Sequence, residues 1–251
     1  MQFLASTLLG AFIIALAAFL RRGSDRMTDY TLATFFASCP LLLAMMTALT
    51  GFFHPRTIDL LLYTVDRGLG LEPFALIGLV AREHWLNVFL FLVYVSLPLL
   101  IAFAWVLDRS EAMLRAAVIA PIAALLFYNL FPAVGPIYTL TQGASQVVVP
   151  WERIADLPRN CFPSMHFSWA ILVALNAKKP AWRVIACMFT LLTGLATVGL
   201  GEHYFIDLIA AVPFCLAIQY VVTAKLLPSS QKAAPYVSAI HTPEFSLRNM
   251  D

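Results

Sequence analysis

The sequence predicts an all-α protein, a polytopic membrane bundle of about seven helices. Three observations carry that expectation. Hydrophobic residues make up 61% of the 251 and charged residues only 12%, against about 45–50% and about 25% in soluble domains. Mean hydropathy is +0.83. The apolar residues also gather into runs long enough to cross ~30 Å of hydrocarbon at about 1.5 Å per residue. Together these exclude disorder, a coiled coil and an ordinary soluble globule. A net charge of +2 leaves no basic footprint for nucleic acid. Four cysteines do not make a disulfide framework, and no Cys/His spacing is that of a zinc site. Cys39, Cys187 and Cys215 lie in apolar runs, where packing explains them, and Cys161 stands alone in a polar loop.

In chain order, the expected spans lie near 3–20, 30–53, 85–107, 112–132, 164–177, 182–200 and 204–226. Only Met1 and Gln2 precede the first, while Arg21, Arg22 and Arg26 follow it. That is the charge order of an uncleaved anchor with its N-terminus outside, not of a signal peptide. Trp85 and Trp105 bracket the third run like interfacial anchors. The fifth run is the shortest and begins inside a polar motif. Threading seven spans from an outer N-terminus places 11 of the 16 Lys and Arg residues on the cytoplasmic side. Arg56, Arg67, Arg82, Arg153 and Arg159 fall outside, as the positive-inside rule prefers.

The connectors complete the organisation. Residues 54–84 alternate apolar and charged positions and read as one or two interfacial amphipathic helices, broken at Gly68, Gly70 and Pro73. Residues 133–163 are rich in Pro and Gly and are expected to form an outer cap. The chain thus divides into two N-terminal spans (1–57), a membrane core (58–226) and a polar cytoplasmic tail (227–251).

Ionisable residues inside spans are costly and so mark function. Here they cluster. His166 lies in the run Arg159-Asn160-Cys161-Phe162-Pro163-Ser164-Met165-His166, where a loop becomes the fifth span. His203 and Asp207 open the seventh. One crossing in and one back between the two histidines returns both to the same outer face. His203 and Asp207 are i and i+4, on one helix face. Asp207 can therefore hold the Nδ1 proton of His203 and leave Nε2 free to attack. Two helix N-termini meeting there would cradle a phosphate through their open N–H groups, with Ser164 as a cap or phosphate donor. The chemistry this fits is phosphoryl transfer through a phosphohistidine: His203 as nucleophile, Asp207 as its orienter, His166 as acid and base. No metal or other cofactor is called for. His54, His84 and His241 have the bland reading of connector, interfacial and tail residues.

These segments resemble the type-2 phosphatidic acid phosphatase superfamily, which also contains the vanadium haloperoxidases. Pro163-Ser164-Met165-His166 is similar to its second motif, and His203-x-x-x-Asp207 to the end of its third. The resemblance implies a helical core around an open phosphate site, with the same roles for His203, Asp207 and His166. It is incomplete. The usual Lys and Arg-Pro of the first motif are missing, and Ala196-Thr197 stands where the third motif carries Ser-Arg. Those departures resemble the inositol phosphorylceramide synthase and sphingomyelin synthase branch with its bacterial relatives. So do Phe131-Pro132-Ala133-Val134-Gly135-Pro136, the segment from Thr197 to Tyr204, and Asp66-Arg67 followed by glycines and Pro73.

With the usual cations gone, Arg159 is the first candidate to offset phosphate charge, ahead of Arg153 and Arg67. Tyr138 and Tyr204 are candidate substrate hydrogen-bonders, or members of an interfacial aromatic belt. The expected activity is metal-independent cleavage or transfer of the phosphoryl or phospho-headgroup of a lipid phosphate or phospholipid. The acceptor is water, or an alcohol or polyol, at the outer face of the membrane. A simple phosphatase for phosphatidate or an isoprenoid phosphate is the alternative. A non-catalytic anion-binding protein or transporter is a third reading, disfavoured because transporter sites lie near mid-bilayer on broken helices.

Overall fold

The computed structural model describes residues 2–20, 26–54, 56–139, 157 and 159–224. Among these it is all helical. The helices are α1 (Gln2–Leu20), α2 (Arg26–Phe53), α3 (Asp59–Gly68), α4 (Pro73–Arg82) and α5 (His84–Asp108). They continue as α6 (Glu111–Leu130), the single turn α7 (Pro136–Thr139), α8 (Met165–Asn176), α9 (Pro180–Gly199) and α10 (Phe205–Ala224). Every expected span has a helix whose described ends fall within four residues of those read from the apolar runs. Arg153 and the tail lie outside the described residues.

Local chemistry sets the boundaries. Ser110 caps α6 by accepting Met113 N–H at 3.2 Å, and Pro180 opens α9, where a missing N–H costs nothing. Helix α5 stops where Arg109 turns left-handed at φ 44°. The 54–84 connector forms two short helices, α3 and α4, separated where Gly70 takes φ +75° and Pro73 begins the next turn.

Among the described residues, four helices are long and apolar enough to cross a membrane: α5, α6, α9 and α10. This is fewer than the seven expected. The fifth expected span, α8, has 12 residues, about 18 Å of helix, short of ~30 Å of hydrocarbon. Its position explains how so short a helix is stable. Helix α8 packs against α5, α6, α9 and α10 together. Its buried Leu172 joins the small face of α6 (Ala116, Ala120, Ala124) and Phe214, Cys215 and Ile218 of α10 in one core cluster. Small residues let helix backbones approach closely in an apolar medium. The outer faces carry exposed Ile122, Leu126, Leu191, Leu216 and Tyr220, a lipid-facing shell for the membrane protein these helices suggest.

Helix α1 packs on α2 and α5. A buried polar tie secures α2: Asp29 Oδ1 accepts from Trp105 Nε1 at 2.9 Å and from Arg109 at 2.7 Å. Trp105 is therefore a buried partner of Asp29 and not an interfacial anchor like exposed Trp85. The carboxylate draws the indole inward because it needs donors more than the indole needs water. Reciprocal amide bonds between Asn176 and Gln219 tie the far ends of α8 and α10, at 2.8 and 3.1 Å.

Candidate active site

The site is assembled from four stretches far apart in sequence. The first is the turn after α9. Thr197 carbonyl accepts both Glu202 N–H (3.0 Å) and His203 N–H (3.1 Å), which folds the chain back sharply. Gly201 at φ +80° makes that fold possible, and a Cβ there would lie 2.7 Å from Ile137 Cβ. The second stretch, 131–136, presses against this turn. Gly135 has φ +106°, and a Cβ on it would collide with the Glu202 carbonyl oxygen. The two segments join through Ile137 N–H to Gly201 O at 2.9 Å.

The turn delivers His203 to Asp207. His203 Nδ1 lies 3.3 Å from Asp207 Oδ2, with both side chains buried. The same oxygen accepts Tyr204 N–H at 2.8 Å. An ionised carboxylate is acceptor-only, so the Nδ1–H tautomer is the one this contact favours, with Nε2 carrying the lone pair.

The third stretch, 159–166, runs alongside. Ser164 N–H reaches Asp207 O at 3.4 Å, joining the two expected motifs backbone to backbone. Ser164 Oγ caps α8 by accepting Phe167 N–H at 3.4 Å. His166 sits in the first turn of α8, its ring stacked on Tyr94 of α5 with centroids 4.0 Å apart and planes 15° from parallel. Cys161, alone in its polar loop by sequence, is buried against the pair. Its thiol donates to Asp207 Oδ2 at 2.9 Å and lies 3.5 Å from His203 Nδ1. Burial, with Asp207 and Asp59 nearby, pushes this thiol well above its ordinary range. Cys161, His203 and Asp207 place three potential metal-ligand atoms within 4.8 Å of one another.

Helix α3, from the amphipathic connector, is the fourth stretch. Its Asp66 accepts Phe205 N–H and Ile206 N–H, one on each oxygen, both at 2.8 Å. This corrects the expectation of an open N-terminus on the last helix. Its first amides are already held by a carboxylate, because a buried helix end cannot leave its N–H groups unmet. Asp59, two turns earlier on the same face of α3, accepts Gly135 N–H at 2.9 Å and the Tyr204 hydroxyl at 3.1 Å. Burial raises both carboxyls from their ordinary range, and the backbone N–H bonds pull them partly back. A local signal for both was present: Asp59, Leu62 and Asp66 occupy one buried face of α3, so acids stand where the amphipathic pattern wants apolar residues.

The other candidates are placed as follows. Arg159 is fully buried, its guanidinium donating to the carbonyls of His54 (3.1 Å) and Leu157 (2.6 Å). Its burial lowers its pKa, while Asp59 acts against that. Tyr204 is buried, its hydroxyl shared between Asp59 and Thr139. Tyr138 bonds Glu202 at 3.1 Å, and burial with that carboxylate pushes its hydroxyl up to about 12. Arg67 is exposed and pairs with Glu72. His54 Nε2 meets Asn129 at 3.0 Å.

A family model described as the PAP2 superfamily matches residues 60–221. No curated protein and no solved structure matches the chain.

Proposed function

The chain belongs to the PAP2 superfamily, and from that premise, which suggests a phosphatase- or phosphotransferase-type activity, we propose a lipid-directed reaction through a phosphohistidine. The branch it resembles is that of the inositol phosphorylceramide and sphingomyelin synthases. The observation that carries the reading is the bond between His203 Nδ1 and Asp207 Oδ2, made beside the segment that ends in His166. Asp207 holds the Nδ1 proton, so Nε2 attacks phosphorus. The P–O bond to the lipid breaks as the N–P bond forms, and His166 gives its proton to the departing oxygen. In the second step His166 takes a proton from water or an alcohol. That oxygen then attacks phosphorus, and the N–P bond breaks.

The residues proposed for substrate are Ser164, Arg159, Tyr138 and Tyr204. Arg159 offers a guanidinium with five N–H donors, two residues before the thiol that touches Asp207. We place the site at the outer face, following the seven-span thread with an outer N-terminus and its charge asymmetry. A substrate whose tails stay in lipid suits a site at a helix end.

Purified protein, a radiolabelled phospholipid panel with and without alcohol acceptors, and His203→Ala as blank test this reading. Free phosphate without acceptor means a lipid phosphatase. Labelled product only with acceptor means a phosphotransferase. Unchanged label moved between vesicles would instead make the protein a transporter, and turnover in the blank would overturn the phosphohistidine.

A further inference from the structure

We propose that Cys161, His203 and Asp207 form a binding site for a soft divalent cation, zinc or cobalt, that locks the site in an inactive state. The metal site itself does not depend on the catalytic reading; its inhibitory effect does.

The geometry is close to that of a tetrahedral face. Zinc bonds of about 2.3 Å to sulfur and about 2.0–2.2 Å to nitrogen and oxygen set donor atoms about 3.3–3.6 Å apart. Here Cys161 Sγ to His203 Nδ1 is 3.5 Å and His203 Nδ1 to Asp207 Oδ2 is 3.3 Å. Cys161 Sγ to Asp207 Oδ2 is shorter, 2.9 Å, with the thiol proton shared between them, and opens once that proton leaves. Thiolate, imidazole and carboxylate are a ligand set that prefers zinc and its neighbours to magnesium or calcium.

A second observation points the same way. Asp207 is fully buried, and its Oδ1 accepts no hydrogen bond among the described residues. A buried carboxylate oxygen without a donor is costly, and a cation held by both Asp207 oxygens satisfies it. The surroundings are negative as well. Buried Asp59 and Asp207 both act electrostatically on the Cys161 sulfur, and Asp207 acts on Asp66. The ion-pair partner of Asp207 among the described residues is His203.

The proton balance gives the consequence. Metal binding at neutral pH releases the Cys161 thiol proton. It also moves the His203 proton from Nδ1, now a ligand, to Nε2. The Nε2 lone pair needed for attack on phosphorus is then gone. Zinc therefore stops turnover, and a chelator restores it.

The test uses the full chain in detergent, as a Cys187→Ala variant to remove the exposed thiol on α9, with Co2+ added alone. A thiolate-to-cobalt charge-transfer band saturating at one equivalent is expected. Cys161→Ser should abolish the band. His203→Ala, which keeps the thiol, should weaken cobalt binding by at least about tenfold, since even an outer partner of a metal is worth that much. No band in the parent overturns the site, as does a band that survives in Cys161→Ser. Should Cys161→Ser fail to fold, unchanged cobalt affinity in His203→Ala also overturns it. No cobalt band in the parent, together with an inactive His203→Ala, would remove this site and leave the phosphohistidine reading standing.

Discussion

Asp66 and Phe205 meet across 139 residues, the carboxylate taking the amide proton that opens α10 at 2.8 Å. Its other oxygen takes the next amide, Ile206. The helix carrying Asp207 is thus started by a side chain from α3. Asp66→Ala leaves two buried N–H groups unmet and should cost about 2 kcal/mol. Asp66→Asn keeps one acceptor and should cost less. Thermal unfolding in detergent at a fixed scan rate checks the order of the two.

Removing the reacting groups should stop chemistry without unfolding the bundle. His203→Ala, His166→Ala and Asp207→Ala are each expected to lower kcat by at least about a thousandfold, with wild-type elution on gel filtration. Vanadate, an analogue of the trigonal-bipyramidal transition state, should inhibit the wild type. EDTA should leave turnover in place. A single variant with near-normal rate would be struck from the scheme.

Tyr94 holds the plane of His166 by stacking. Tyr94→Phe keeps the ring and should retain most activity. Tyr94→Ala lets the imidazole swing, and kcat should fall about tenfold to a hundredfold with little change in KM. Equal losses in both variants would show that the hydroxyl, not the stack, matters.

Gly135 and Gly201 each lean on the other's segment in a left-handed backbone. Gly201→Ala pays for a strained φ and a contact with Ile137, and should cost about 1–3 kcal/mol. Gly68, whose Cβ would meet nothing within 4 Å, is the control: Gly68→Ala should be near neutral or better.

Asp59 gives a pH signature. Burial raises its folded pKa above the ordinary value, so the folded chain holds this proton more tightly than the unfolded one. The resulting stability is present below about pH 4 and is lost as pH rises through the folded value. Between pH 4 and 7, the apparent stability of Asp59→Asn should therefore fall less steeply than that of wild type. Parallel slopes would contradict the raised pKa.

The helices were legible because each is a long apolar run with a polar break, and lipid leaves the backbone no alternative to helix. His203 and Asp207 were legible because their partnership is local, four residues on one face. The rest was hidden by distance. Cys161 meets Asp207 from 46 residues away, and Asp59 meets Tyr204 from 145. No spacing rule joins such residues; only the buried acids on α3 hinted at them. Trp105 misled for the same reason, since its partner Asp29 lies 76 residues earlier. The short length of α8 was visible, but the four neighbours that shelter it were not.

The long reach of Asp59 and Asp66 bears on how the protein is made. A ribosome delivers α3 well before α10, so both carboxylates enter the translocon region with no amide or hydroxyl yet made to receive them. Until the final helix arrives, Asp66 has neither of its two amides, and Asp59 has Gly135 N–H but not the Tyr204 hydroxyl. Truncation before Tyr204 should thus give a product that membrane quality control degrades rapidly, even though α1 to α9 are all present.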